Sequence, residues 1–367
     1  MEKSEQQKWA EYRTSEIAAV TPILATLGYT LDHDQRHILG ERYLMTGARD
    51  VGGGGYKLVL TGKDKGSTRV IIKVSSDPGG IREIEKERRA RRTITNLRFS
   101  YHSFRAPREF LHMMRGRHLI SVTEYIEQDK TFLERSNEEQ FALALRTFKI
   151  QEGVHATTYA HAEAIRSVFG MVDAADYRAS FDDFKKEVAD AGNQPAVEVL
   201  EDAERFLKEE TKTIEQYCGF LTHADFVPHN LRIRGDDIYL LDYASIHFGN
   251  KYESWGRFTN FMMLYNPVLE GALVQYVKDN RTPEESRSYR CMRAYKLAFL
   301  LSYHARSMRK STGDAHQLAA TRLSFWTGAL RSMLNGTSLG QPVIDEYIKK
   351  RDALRSDEEK IRQQELH

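Results

Sequence analysis

Strand-like and helix-like stretches are almost fully segregated along this chain. "HILGERYLM", "YKLVLTG" and "TRVIIKVS", between residues 37 and 75, are short, β-rich and separated by Gly, Asp and Ser, which predicts an antiparallel meander. "LISVTEYI" at 119–126 reads as another strand, and "GGIREIEKERRARRTITNL" as one intervening helix. Ahead of them, residues 2–28 place Trp9, Tyr12, Ile17, Val20, Ile23, Leu24 and Leu27 near one helical face, with Gly28 as the stop. From about 137 onward helical spacing dominates, at 137–170, 180–190, 195–216 and 253–335. Two short strands, "LRIRG" and "IYLLDY", interrupt it about the turn Gly235-Asp236-Asp237, and residues 345–367 read as solvated helix. This order excludes an alternating βαβ sheet. It predicts an α+β chain in two lobes, a small antiparallel-β N-lobe over 1–126 and a large helical C-lobe over 127–367.

Composition narrows the function classes. With 367 residues, 41% of them hydrophobic, the chain can bury a large core. Its 54 basic and 52 acidic residues leave a net charge of +2, which demands neither nucleic acid nor a membrane surface. Cys218 and Cys291 cannot make a disulfide framework and have no zinc-ligand spacing, so they read as buried small residues. The charged start "MEKSEQQKWAEYRTSE" lacks the apolar segment of a secretory signal. No apolar run reaches the roughly 18 residues of a membrane span. A soluble, cytoplasmic protein, monomeric or weakly dimeric, is expected.

The chemistry-bearing residues fall in a definite order. In "GARDVGGGGYKLVL", Gly52, Gly53, Gly54 and Gly55 lie between strands, where backbone N–H groups can approach an anion with no Cβ in the way; a flexible hairpin turn is the plainer reading. Lys57 stands where a phosphate loop of this spacing has its third glycine. Lys73 sits inside the apolar strand "RVIIKVS", suited to reach nucleotide phosphates. Its carboxylate partner comes from the next helix: Glu87 shares the inward face of Ile84, Ala90, Ile94 and Leu97, and is preferred to Glu83 on a neighbouring face. "VTEYIE" is the connector between lobes, where an adenine can meet backbone groups of Glu124 and Ile126 with Thr123 behind it. Then His223-x-Asp225-x-x-x-x-Asn230 precedes a hairpin that ends in Asp242. Asp225 can accept a hydroxyl proton, while Asn230 and Asp242 offer the hard oxygens that suit Mg²⁺.

Taken together, "GGGGYKLV", "VIIKVS", Glu87, "HADFVPHN" and "LLDY" resemble the protein-kinase-like superfamily, specifically its aminoglycoside phosphotransferase and choline kinase branch, over about residues 40–250. The resemblance implies a bilobal protein-kinase-like fold, ATP or GTP with Mg²⁺ as cofactors, and a small hydroxyl-bearing acceptor. It implies Asp225 as catalytic base, His223 as support of its loop, Asn230 and Asp242 as metal ligands, and Lys73 with Glu87 as organisers of the phosphates. An aminoglycoside acceptor would make the chain an antibiotic-resistance enzyme. Departures from regulated protein kinases are plain. Ala224 replaces the arginine beside the base, Asp-Tyr-Ala replaces Asp-Phe-Gly, and no Ala-Pro-Glu follows. The branch usually carries a further Asp about ten residues beyond the metal-binding one; here the nearest carboxylate is Glu253.

Three competing readings remain in view. A protein kinase would need a peptide platform that "YASIHFGN" is too short to provide, and a nucleotide-binding pseudoenzyme would not need every polar residue just named. An RNA-binding face at Arg82, Lys86, Arg88, Arg89, Arg91 and Arg92 is interleaved with glutamates, as a solvated helix face would be. The acceptor's charge is ambiguous. Residues 173–216 hold thirteen carboxylates against six bases, whereas 281–331 hold ten bases against three acids.

Overall fold

In the computed structural model, residues 5–33, 35, 55–97, 104–153, 165 and 167–355 are described. The predicted strand "HILGERYLM" and the glycines Gly52, Gly53 and Gly54 lie outside them. The first helix, α1 (Glu5–Leu27), stops where Gly28 turns to φ +86°. Trp9, Val20 and Leu24 bury their side chains, with Tyr12, Ile17, Ile23 and Leu27 packed on the same cluster, as their spacing requires. What they cover is one face of an antiparallel sheet built from β1 (Thr30–Leu31), β2 (Leu58–Lys63), β3 (Arg69–Ser75), β4 (Glu109–Arg115) and β5 (His118–Glu124), in the order β1-β2-β3-β5-β4. Strand alternation then dictates the rest. Val70, Ile72 and Val74 of β3 enter that core, which puts Ile71 and Lys73 on the opposite face. β4 escapes the sequence pattern because "EFLHMMR" is an edge strand, half-buried or exposed throughout, so no apolar alternation marks it.

Helix α2 (Pro78–Asn96) begins at Asp77, whose side chain caps the N–H groups of Gly79 and Gly80. Gly55 lies so close to this helix start that a Cβ on it would fall 2.1 Å from the Gly80 nitrogen. A Cβ on Gly80 would fall 2.0 Å from the Tyr56 carbonyl oxygen. These glycines therefore let strand and helix backbones touch, and that contact aims α2 across the sheet. The basic run of α2 is divided by its own periodicity. Arg88 and Arg91 both pair with Glu109 of β4, and Arg82, Lys86, Arg89 and Arg92 are exposed.

The remaining elements surround a second, larger core running from Phe132 to Tyr347. They are α3 (Asn137–Gly153), α4 (Ala174–Asp190), α5 (Gln194–Glu209), α6 (Thr211–Gln216), β6 (Phe220–His223), β7 (Leu231–Arg234), β8 (Asp237–Leu240), β9 (Ile246–Gly249), α7 (Glu253–Tyr265), α8 (Pro267–Asn280), α9 (Pro283–Lys310), α10 (Gly313–Leu334) and α11 (Gln341–Leu354). The helical stretch read over 253–335 is divided into four helices, with Pro267 and Pro283 at the first helical positions of α8 and α9. β7 and β8 form the expected hairpin, turning through Gly235 at φ +56°. β6 and β9, not read from the sequence, pair antiparallel beside it. Several contacts tie the lobes. Ala90 and Ile94 of α2 enter the large core, and the Arg105 backbone bonds both Ile238 and Leu240 of β8. No helix of the described residues is long and apolar enough to cross a membrane.

Candidate active site

Lys73 projects from the sheet face opposite α1, and α2 brings Glu87 to it. The Lys73 Nζ lies 2.5 Å from each Glu87 carboxylate oxygen. Glu83, one turn earlier, pairs instead with Lys57 at 2.8 Å. Two lysine–glutamate pairs thus stand side by side under the sheet. At the connector, the Glu124 N–H donates to the Arg108 carbonyl at 2.8 Å and its carboxylate receives Arg234 at 2.8 Å; Thr123 and Ile126 are buried beside it. Of the four glycines, Gly55 lies in the strand–helix contact described above, and the other three lie outside the described residues.

Across from the lysines, β6 ends in His223 and delivers the loop that carries Asp225 and Asn230. The His223 Nε2 lies 3.0 Å from the Asp242 carbonyl and 3.2 Å from that of Leu241, so this nitrogen carries the proton. Its Nδ1 accepts the Asp225 N–H at 3.2 Å. Burial holds the ring below the ordinary histidine value, outweighing the neighbouring Asp242 and Asp225 charges, and the neutral tautomer fits both contacts. His223 therefore staples the loop to the start of the Asp242 turn. The Asn230 amide nitrogen donates to the Asp225 carbonyl at 2.8 Å, and the Asn230 carbonyl accepts the Leu241 N–H at 2.8 Å, which sets Asn230 beside Asp242.

Asp242 occupies the left-handed region at φ 53°, ψ 55°, rare for a residue other than glycine. Its Oδ2 accepts from Ser245 at 2.6 Å. Burial works to raise this carboxyl, but the His223 ring, the Ser245 hydrogen bond and the charges of Lys57 and Lys73 outweigh it and hold the group below its ordinary value. A half-buried carboxylate held ionised by two lysine charges matches the donor chemistry of a magnesium–phosphate site. With the Asn230 amide nitrogen committed to the loop, its oxygen is the atom left to offer a hard cation. The donor set fits the metal.

Two partners of this loop lack any local sequence signal, and both come from α7. Ser254 is fully buried; its Oγ accepts the His223 N–H at 2.9 Å and meets the Thr222 hydroxyl at 2.5 Å. Arg257, one turn on, places Nη2 2.8 Å and Nε 3.0 Å from Asp225 Oδ1. Glu253 does not reach the loop. It is buried with Lys296 and His247, each at 2.8 Å, and with the Tyr177 hydroxyl at 2.5 Å. Although burial works to raise it, the His247 and Lys296 charges hold its carboxyl far below the ordinary range. Ser254, not its neighbour Glu253, thus supports the loop backbone. Only the hydrogen-bond geometry could distinguish these adjacent residues. The cysteines are remote in character: burial pushes the Cys218 thiol up to about 12, and Cys291 is raised further.

Asp225, Asn230 and Ser245 open onto a cleft of about 1350 Å³ between α4 and the helices α7, α9, α10 and α11. Its size admits a multi-ring small molecule. A carboxylate poised beside a roomy cleft, next to an acidic turn that faces paired lysines, is an arrangement for moving an anionic group onto a bound acceptor.

Sheet, strand lysine with helix glutamate, connecting loop and helical lobe together make a bilobal fold of the protein-kinase-like kind. Among solved structures, a thermostable mutant of the aminoglycoside phosphotransferase APH(4)-Ia superposes with a TM-score of 0.53 at 13% identity, covering 78% of this chain and 93% of that one. A putative aminoglycoside phosphotransferase from Ralstonia eutropha gives 0.52 at 11% identity, covering 82% of this chain and 99% of that one. A type I macrolide 2'-phosphotransferase gives 0.52 at 12% identity, covering 84% and 97% respectively. No protein-family model and no curated protein matches the sequence. The resemblance inferred from the motifs holds in the fold.

Proposed function

We propose that this chain is a magnesium-dependent kinase that transfers the γ-phosphoryl group of ATP or GTP to the hydroxyl of a small molecule. The nucleotide lies between an N-lobe of 1–126 and a C-lobe of 127–367, under Gly52–Gly55, with its base against Thr123, Glu124 and Ile126. The observation that carries this reading is the opposition of the Lys73–Glu87 pair to Asp242, whose carboxyl feels the lysine's charge. Asn230 and Asp242 would hold Mg²⁺, which would neutralise phosphate charge when bound. Lys73, fixed by Glu87, holds the phosphates from the other side. Asp225 orients the acceptor hydroxyl and takes its proton as the oxygen attacks the γ-phosphorus and the bond to the β-phosphate oxygen breaks, releasing the nucleoside diphosphate. Little covalent chemistry falls to the protein, so positioning and charge neutralisation carry the rate.

Arg257 on Oδ1 and the Asn230 amide nitrogen, 3.4 Å from Oδ2, fix the orientation in which the Asp225 carboxylate meets the hydroxyl. No phosphorylated activation loop is part of this design, because the residue before Asp225 is Ala224 and the Asp242 turn passes through Ser245 directly into β9. Asp225→Asn tests the reading. Turnover measured as ADP release should fall by about 10²–10⁴, as for general acid–base groups, with nucleotide affinity little changed. Near-normal turnover would remove Asp225 from the chemistry.

A further inference from the structure

The acceptor end of the cleft holds two sets of charged side chains that phosphoryl transfer itself does not explain. α4 contributes Asp176, Asp183, Glu187 and Asp190 to one of them. Asp176, Asp183 and Asp190 are exposed, Asp176 closes the capping box of α4, and Glu187 and Asp190 both pair with Arg309. Water and salt screen such charges strongly. Arg257, Arg322 and Arg351 line the same cleft together with His304. Arg257 extends from the base Asp225 into it, His304 is only 7% exposed and Arg351 only 9%. Arg322 hydrogen-bonds Tyr347, and Tyr265 and Trp326 complete an aromatic surround. Asp225 pairs with Arg257 and Asp352 with Arg351.

His304 makes this cluster look built for a ligand. Burial first, and then the charges of Arg322 and Arg257, keep the ring well below the ordinary histidine value and therefore neutral. Its Nδ1 is buried with no hydrogen-bond partner among the described residues. Buried polar nitrogens are rarely left so, and one between two guanidinium groups has an evident partner in an oxyanion, which accepts from the Nδ1–H tautomer and from both arginines.

We propose that Arg257, His304, Arg322 and Arg351 form an anion-recognition subsite, and that the acceptor is a hydroxyl compound bearing a carboxylate or phosphate close to the hydroxyl that meets Asp225. The proposal rests on the phosphotransferase reading for the fate of that hydroxyl; the anion subsite itself stands on the residues just named.

The test uses the full chain and four probes: glycerol 3-phosphate, glycerate, glycerol and an aminoglycoside. Each is titrated calorimetrically, and each is assayed for ADP release with Mg-ATP. The two anions should bind and the other two should not, and ADP release should follow the anions; which anion binds tighter identifies a phosphate or a carboxylate as the natural group. Arg322→Gln should weaken anion binding by about tenfold or more, the loss of one charge-assisted contact, while Arg322→Lys retains part of it. His304→Phe keeps the ring volume, removes the nitrogen and should weaken binding in the same way, which covers the case of a poorly folded arginine variant. Absence of anion binding, equal binding by both folded variants, or turnover of the aminoglycoside alone would overturn the proposal. Anion binding without any Mg-ATP binding would instead sink the phosphotransferase reading and leave the subsite standing.

Discussion

Ser254→Ala tests whether the catalytic-type loop is held from below by α7. The serine hydroxyl accepts the His223 N–H at 2.9 Å and meets Thr222 Oγ1 at 2.5 Å, in a place without solvent access. Its removal strands a buried backbone donor, costing about 1–3 kcal/mol, and takes a net hydrogen bond worth roughly 0.5–1.5 kcal/mol from the Thr222 hydroxyl. The Thr222 hydroxyl can rotate, so the two losses do not add in full, and about 2–3 kcal/mol is expected. Guanidinium unfolding should show a lower midpoint with an unchanged slope. Function should suffer separately. Asp225 lies two residues beyond His223, and a shift of about 1 Å at a reacting group can cost about 10²-fold in rate. ADP release should therefore drop at least several-fold while Mg-ATP affinity, which depends on Lys73, Glu87 and Asp242, stays near wild type. A midpoint within about 0.5 kcal/mol of wild type, the range of ordinary surface substitutions, would refute the argument that this hydroxyl bears the loop.

Other outcomes follow from the same geometry. Asp242→Ala should abolish magnesium-dependent nucleotide binding in calorimetry, because this carboxylate supplies much of the protein's share of the ligation; unchanged binding would make Asp242 only a turn residue. Gly80→Ala should destabilise the N-terminal sheet by about 1–3 kcal/mol in denaturant unfolding, since its Cβ would lie 2.0 Å from a backbone oxygen of Tyr56 that cannot swing away; a neutral result would mean that Gly55 and Gly80 do not need their close approach. Stability should fall on acidification. Burial keeps His223 and His304 below 6.5 in the folded chain, so the unfolded chain binds protons that the folded one does not, and stability that is full above about pH 6.5 is lost below it. Glu285 continues the loss: burial tends to raise it, but Tyr252 and Lys251 bring it from 4.5 to about 2, so its contribution, present above 4.5, disappears as the pH falls through about 2. Thermal midpoints should be level from pH 8 to about 6.5 and decline from there to pH 3, and His304→Gln should flatten the upper part of the decline; a profile level from pH 7 to 5 contradicts the assignment.

Much of the fold was legible because it depends on local spacing. Helix α1, the alternation in β3, the inward face of α2 and the β7–β8 hairpin each repeat their pattern within a few residues, and the structure contains all four. The same reasoning placed Glu87 rather than Glu83 on the inward face, and the structure brings Glu87 to Lys73 and Glu83 to Lys57. β4 was not legible, since an edge strand need not alternate, and neither were β6 and β9, four residues each. A pairing between segments more than twenty residues apart leaves no signal in either segment alone.

What the sequence determined by itself was therefore the order of elements and the residue types able to bind phosphate, accept a proton and hold a hard cation. What only the tertiary structure decided was which of them meet. Ser254 and Arg257 reach His223 and Asp225 from about thirty residues away, while Glu253, a neighbour of Ser254, turns instead to Lys296, His247 and Tyr177. Adjacent residues on a helix differ by about 100° in direction, and the packing of α7 against the loop sets which direction faces the chemistry. Charge behaves in the same way. Charge counts along the chain could not tell that folding would bring Arg257, His304, Arg322 and Arg351, from four separate helices, to line one cleft together with carboxylates of α4.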